Sequence, residues 1–206
     1  MDGLLLDSER IALAAFNETC AHFKLDDQTE LFLRCIGTNE ALGTQVLKAG
    51  LEGKADYREF GRIWDGKYFE ATNRKAIPLK DGAVETLDHF AKIGVPAAVA
   101  TSTSAARAKQ KLLDAGILTR FKVVVGGDQV ERGKPKPDIY LKTAQLLRVA
   151  PENCLALEDS ENGVRSALGA GMTVIQIPDL VKPSSEMRAL GHIILDSLRD
   201  VRTHAF

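Results

Sequence analysis

Cysteine is scarce in this chain, and its pattern fits neither a disulfide framework nor a zinc site. The 206 residues include three cysteines, Cys20, Cys35 and Cys154, with no Cys-x-x-Cys spacing. Disulfide-rich secreted domains and structural zinc sites both depend on sets of closely spaced or paired cysteines. The three thiols are therefore predicted to be reduced, as is usual in a cytoplasmic protein.

Long hydrophobic runs and an excess of either charge are also missing. The longest apolar stretches, residues 95–100 and 123–125, are far shorter than the roughly 20 residues that cross a bilayer. No basic segment followed by an apolar stretch opens the chain. Lys and Arg number 27 against 28 Asp and Glu, which argues against nucleic acid or an anionic membrane as the main partner. We therefore expect a cytoplasmic monomer.

From residue 95 onward, short apolar runs alternate with helical patterns. The pattern predicts strands at residues 95–101, 121–125, 154–158 and 172–177, and helices at residues 105–115, 137–148 and 161–170. Fully apolar strands separated by helices indicate a parallel sheet covered on both faces, an α/β Rossmann-like fold. Such sheets bind ligands at the carboxyl ends of their strands.

The N-terminal third has a different pattern, helical from Ser8 to about Asn73 without a strand-like run. Helices are predicted from Asp7 or Ser8 and over residues 40–49 and 57–71. We predict a small helical cap at residues 10–75, inserted into a core domain of residues 1–9 and 76–206. Asp81 is predicted to be the N-cap of a helix at residues 82–92.

Polar side chains are predicted at the strand ends, where a ligand would bind. They are Asp2, the hydroxyl run at residues 101–104, Lys134, and the pair Glu158 and Asp159. Each has an ordinary explanation as a helix cap or a solvated charge. Together they supply donors for phosphate oxygens, a fixed cation and carboxylates that hold Mg²⁺. This combination indicates phosphoryl transfer.

The sequences of these segments and their order along the chain resemble the motifs of the haloacid dehalogenase-like superfamily, specifically its phosphatase branch with a small helical cap. The resemblance covers essentially the whole chain. It is carried by Met1-Asp2-Gly3 with Leu6-Asp7-Ser8-Glu9, by Ala100-Thr101-Ser102-Thr103, by Gly133-Lys134-Pro135-Lys136-Pro137-Asp138, and by Leu157-Glu158-Asp159-Ser160-Glu161-Asn162-Gly163.

The resemblance implies catalytic roles for two residues. Asp2 would protonate the leaving alkoxide and then activate the attacking water, and its backbone carbonyl would face Mg²⁺. Lys134 would offset negative charge on the nucleophile and the phosphoryl group. The Lys134-Pro135 peptide would be cis, which would aim the lysine inward.

The resemblance also implies a phosphate site and a metal site. Thr101 and the backbone N–H of Ser102 would bind phosphate oxygens at the start of a helix. Asp159 would coordinate Mg²⁺, with Glu158 beside it or acting through water. In the cap, Gly37, Thr38 and Asn39 form a turn that would point toward the substrate, although a simple helix cap explains Thr38 or Asn39 equally well.

The nucleophile that the resemblance implies would stand one residue before Met1. In the pattern Asp-x-Asp-Gly, Met1 is the x and Asp2 the second aspartate, while the first aspartate forms the aspartyl-phosphate. A chain beginning at Met1 is therefore expected to lack a central strand and to be inactive. We favour a fragment or an internal start over a truncated, non-catalytic relative with a binding or regulatory role.

Other functions within and beyond the family fit less well. A hexose-phosphate mutase would use a cap histidine and lysine at positions that fall near Ala12 and Glu70. A dehalogenase would not need the pair Glu158 and Asp159 for a metal. A phosphoryl-receiver domain would place its acidic pair before the phosphorylated aspartate and would not carry the helical insert. The predicted substrate is a small phosphorylated metabolite, a sugar or polyol phosphate.

Overall fold

Two short parallel sheets lie at the centre of the second half of the chain. The computed structural model describes residues 1–36, 38, 40–73 and 75–203. Strand β1 pairs with β2, and β3 pairs with β4, which pairs with β5; every pairing is parallel. The strands are β1 (Ala97–Ala100), β2 (Phe121–Val125), β3 (Leu155–Glu158), β4 (Thr173–Gln176) and β5 (Ile193–Ile194). The predicted α/β fold is confirmed.

Within the part of the chain that the structure describes, the strands form two sheets. Strands β1 and β3 lie on either side of an apolar cavity of about 230 Å³. The backbone edges that face this cavity are not joined by strand pairing in the part of the chain that the structure describes. Strand β5 was not predicted, since a two-residue strand is too short to show a periodic pattern.

Helices cover the sheets at bounds close to those predicted. Helices α6, α7 and α8 agree with the predicted segments to within one residue at either end. These helices of the second half are α5 (Ala83–Lys92), α6 (Ala105–Asp114), α7 (Asp138–Leu147), α8 (Glu161–Gly169), α9 (Ser185–Arg188) and α10 (Leu198–Val201). Short 3-10 turns lie at Leu118–Arg120, Gly127–Gln129 and Pro151–Asn153.

The N-terminal helices pack around a cluster of aromatic rings. The Phe16 ring centroid lies 5.4 Å from that of Phe32, 5.2 Å from Phe60 and 5.1 Å from Trp64. The first three of these residues are fully or almost fully buried. The helices are α1 (Ser8–His22), α2 (Thr29–Cys35), α3 (Glu40–Gly50) and α4 (Tyr57–Thr72). The division into a cap at residues 10–75 and a core remains a prediction.

The predicted N-cap role of Asp81 is wrong. Helix α5 begins after Gly82, whose left-handed backbone has a φ of 82°. The Asp81 carboxylate instead accepts two hydrogen bonds from the Arg199 guanidinium, at 2.5 and 2.6 Å. A bidentate pair with arginine is stronger than a single bond from a backbone N–H, and only the folded chain brings Arg199 close.

No helix within the described ranges combines the length and the apolar character that crossing a bilayer requires.

Replacement of Phe16 by alanine should destabilise the protein by about 3–5 kcal/mol, because it removes a fully buried ring from the aromatic cluster and leaves a cavity. Phe69→Ala is the matched control, since Phe69 is 51 % exposed and its loss should change the free energy of unfolding by no more than about 0.5 kcal/mol. Urea unfolding measures both variants. Equal losses would contradict the assignment of Phe16 to the interior of the cluster.

Candidate active site

A cleft of about 590 Å³ lies between the carboxyl ends of β1 and β3 and the helices α1 and α4. All of the predicted site residues that the structure describes line it: Asp2, Thr38, Thr101, Ser102, Lys134, Glu158 and Asp159. Gly37 and Asn39 fall outside the described residues. The cleft therefore gathers side chains that are more than 150 positions apart in sequence.

The loop that carries Asp2 is held tightly against Asp159. Gly3 has a φ of 73°, and its N–H donates to the carbonyl of Leu6 at 3.0 Å. A Cβ at Gly3 would lie 2.4 Å from Oδ2 of Asp159. Glycine is therefore required here for its backbone conformation and for the close approach of the carboxylate.

Both carboxylate oxygens of Asp2 accept hydrogen bonds. Lys111 Nζ lies 2.6 Å from Oδ1, and the Thr103 hydroxyl donates to Oδ2 at 2.9 Å. Burial raises the pKa of Asp2, while the charge and the hydrogen bond of Lys111 lower it, and the pKa lies below its usual value. Asp2 thus carries its negative charge in a defined orientation.

Lys134 forms a buried ion pair at the edge of the sheets. The Lys134-Pro135 peptide is cis, as predicted, and the side chain is nearly buried. Its ammonium donates to the Ala100 carbonyl at 3.1 Å and to the Glu158 carboxylate. The Tyr140 hydroxyl also donates to Glu158. Burial raises the pKa of Glu158, but Lys134 and Tyr140 outweigh it and the pKa is lowered.

Asp159 and Glu9 lie in an electrostatic environment opposite to that of Glu158. Burial and the charge of Glu158 raise the pKa of Asp159 above its usual range. Burial and the charges of Asp159, Asp2 and Asp179 raise the pKa of Glu9 to about 7. Each carboxylate has excess negative charge around it, which a bound cation would relieve.

The donor set fits one hard divalent cation. Within the ranges that the structure describes, no three His, Cys, Asp or Glu side chains converge as metal ligands. Mg²⁺ does not need such a cage, because it binds through one or two carboxylates, water and substrate phosphate. Asp159 offers one carboxylate in an electronegative environment, while Glu158 is already paired with Lys134.

Thr101 and Ser102 follow β1 at the floor of the cleft. Thr101 is 4 % exposed, and its hydroxyl accepts the N–H of Thr103 at 3.2 Å. Ser102 is exposed and lines the cleft. The first N–H of helix α6, at Ala105, donates a hydrogen bond to the Asp128 carboxylate at 2.7 Å. The segment of hydroxyl residues therefore includes a local turn, closed by the bond between Thr103 and Thr101. Thr101 and Ser102 both line the cleft, where a ligand could contact them.

Several residues of the cleft were not predicted from the sequence. They include Lys111 and Arg107 from α6, Glu9 from α1, and Trp64, Asp65 and Tyr68 from α4. One signal could have identified Lys111: it lies three residues after Ala108 and directly before Leu112, on the buried face of α6. A lysine on an apolar face needs a partner.

Known proteins are similar to this chain over most of its length. Residues 1–177 match the haloacid dehalogenase-like hydrolase family. This chain belongs to that family. The hydrolase is 36 % identical over 180 residues to hexitol phosphatase A from Escherichia coli, covering 86 % of this chain and 80 % of the relative. It is 32 % identical over 173 residues to a phosphorylated carbohydrates phosphatase from Thermotoga maritima, covering 84 % and 79 %.

Solved structures of the family share the fold of this hydrolase. A family hydrolase from Deinococcus radiodurans with bound phosphate and sodium superimposes with a TM-score of 0.82 at 26 % identity, covering 98 % of this chain and 91 % of the other. The protein CbbY from Rhodobacter sphaeroides in complex with phosphate gives 0.74 at 28 % identity, covering 98 % and 93 %. The relatives support an enzyme of the phosphatase kind.

Replacement of Glu9 by glutamine should flatten the dependence of stability on pH. The folded-state pKa of about 7 lies above the ordinary value of 4.5, so the folded chain binds more protons than the unfolded chain between these values. The free energy of unfolding therefore falls as pH rises through this window. Without metal, Glu9→Gln should remove a part of that fall on the order of 1–3 kcal/mol.

The measurement is urea unfolding at several pH values between about 5 and 8 with a chelator present. Glu52→Gln is the control, because Glu52 is exposed and its loss should leave the slope unchanged. A slope that is the same in Glu9→Gln and in the parent protein would contradict the burial of Glu9 among carboxylates.

Proposed function

We propose that this chain is a Mg²⁺-dependent phosphomonoester hydrolase that acts through an aspartyl-phosphate on a small sugar or polyol phosphate. The observation that carries the proposal is the convergence of Asp2, Thr101, Lys134 and Asp159 in one cleft. The proposal includes a cytoplasmic monomer whose residues 10–75 form a cap over a core domain.

In the proposed reaction some residues of the chain bind the phosphate and another transfers protons. Thr101 and the N–H of Ser102 bind the phosphate oxygens, and Lys134 offsets their charge. In the family pattern the nucleophile is an aspartate two positions before the acid and base, which is Asp2 here. The negative charge of bound phosphate favours the protonated form of Asp2, which gives its proton to the departing alkoxide. The resulting carboxylate then removes a proton from the water that attacks the aspartyl-phosphate.

The metal would be held at the electronegative side of the cleft. Asp159 would bind it through its carboxylate, Asp2 through its backbone carbonyl and Glu158 through water. Bound Mg²⁺ supplies positive charge that neutralises the phosphoryl oxygens. The ion pair with Lys134 keeps Glu158 ionised, so that this carboxylate stays an acceptor for metal-bound water.

The size and lining of the cleft favour a small metabolite as substrate. A volume of about 590 Å³ lies within the range of small-molecule sites. Thr38 lines the cleft, and we include Gly37, Thr38 and Asn39 among the residues that contact substrate. The relatives named for hexitol phosphate and phosphorylated carbohydrate hydrolysis support a sugar or polyol phosphate.

A phosphate-shuttling mutase is a weaker candidate. The position near which the resemblance expects a cap histidine is Ala12, which lines the cleft but carries no ionisable group. The position near which it expects a cap lysine is Glu70, an exposed acid on α4. A hydrolase needs neither group, because water is the acceptor.

The test uses protein expressed from its complete reading frame, assayed for phosphate release from a panel of sugar and polyol phosphates with Mg²⁺ or with chelator. We expect Mg²⁺-dependent release. Asp2→Asn should lower kcat by about 10²–10⁴-fold because it removes the acid and base. Asp26→Asn, an exposed control, should not.

Absence of Mg²⁺-dependent release across the panel would refute the hydrolase and favour a binding or regulatory protein. Equal activity in Asp2→Asn and the parent protein would refute the role of Asp2 alone.

A further inference from the structure

Lys111 is a nearly buried cation that links the core side of the cleft to a helix of the N-terminal third. It projects from α6, and its side chain is 10 % exposed. Its Nζ donates to Asp2 Oδ1 at 2.6 Å and to the Tyr68 hydroxyl at 3.0 Å. The same ammonium lies 5.2 Å from the centroid of the Tyr68 ring. One side chain thus bonds the loop of Asp2 and helix α4 together.

A lysine in this position is unfavourable unless it is paired. Transfer of an unpaired ammonium from water into a protein interior is strongly unfavourable. An apolar side chain would therefore suit this position better if the only role of the residue were to fill space. The neighbours of Lys111 on the buried face of α6, Ala108 and Leu112, are apolar. The charge at position 111 is therefore present for its partners and not for packing.

The orientation of Asp2 depends on contacts outside its own loop. Thr103 donates to Oδ2 at 2.9 Å and Lys111 to Oδ1. Two donors on the two oxygens fix the plane of the carboxylate, where one donor would leave it free to rotate.

We propose that Lys111 is a positioning residue that holds the Asp2 carboxylate in line for proton transfer and couples that orientation to helix α4 through Tyr68. The inference rests on the proposed function, in which Asp2 is the acid and base. Proton transfer needs a heavy-atom distance of roughly 2.6–3.2 Å, so a rotated carboxylate loses the transfer even when its charge is unchanged.

The leaving group distinguishes positioning of Asp2 from a structural role. An alkyl alkoxide needs a proton as it departs, whereas p-nitrophenolate leaves readily without one. Loss of Asp2 alignment should therefore slow an alkyl phosphate far more than p-nitrophenyl phosphate. Damage to the fold, to phosphate binding or to the metal site would slow both substrates together.

The experiment compares Lys111→Met with the parent protein from the complete reading frame, on a polyol phosphate and on p-nitrophenyl phosphate. We expect kcat on the polyol phosphate to fall on the order of 10²-fold, the low end of the range for general acid catalysis. The fall on p-nitrophenyl phosphate should be at most a few-fold. Lys111→Arg keeps a donor and should restore part of the loss.

Two further variants isolate the contacts. Lys109→Met removes a positive charge from an exposed position of the same helix and should leave the ratio of the two activities unchanged. Tyr68→Phe keeps the ring beneath the ammonium but removes the hydroxyl acceptor. It should lower the ratio of the activity on the polyol phosphate to that on p-nitrophenyl phosphate, as Lys111→Met does, but by a smaller factor.

A crystal structure of Lys111→Met provides a readout that does not depend on turnover. The Asp2 carboxylate should leave the position in which it accepts the Thr103 hydroxyl. An unchanged carboxylate, or equal losses on the two substrates, would overturn the inference. If the parent protein releases phosphate from neither substrate, the proposed function fails on its own, and the position of Asp2 in the variant still decides whether Lys111 orients it.

Discussion

The buried ion pair of Lys134 and Glu158 is the interaction on which the site depends. Lys134 contacts the carbonyl of Ala100 at the end of β1 and the carboxylate of Glu158 at the end of β3. Removal of one member would leave a buried charge unpaired, which typically costs about 3–5 kcal/mol. The pair therefore links the ends of β1 and β3 at the cleft.

Two carboxylates that are adjacent in sequence have opposite environments because of this pair. Glu158 has an ammonium and a phenol as donors and keeps a lowered pKa. Asp159 has the charge of Glu158 beside it, and its pKa is raised. The chain thereby separates an acidic residue that is satisfied by protein donors from one that favours an external cation. Asp2, like Glu158, is paired with a cation of the protein, because its carboxylate forms an ion pair with Lys111.

Much of the fold and of the site could be predicted from the sequence, because local patterns carry that information. The strand at Phe121–Val125 is a short, mostly apolar run followed by two glycines, and helix α6 follows its predicted bounds. The motif residues Asp2, Thr101 and Lys134 follow strand ends or turns, which parallel sheets bring to one edge. Asp81 shows the limit: its residue type fits an N-cap, but Arg199, more than a hundred positions away, takes its carboxylate.

By itself the sequence determined the order of strands and helices and the set of polar groups at the sheet edge, since these follow from periodicity and from residue type. Only the tertiary structure decided which group each charge meets. It placed Lys111 against Asp2 and Tyr68, and it placed Glu9 among three other carboxylates. Pairing of charges depends on distances across the fold, and residues on different elements have no local pattern that encodes those distances.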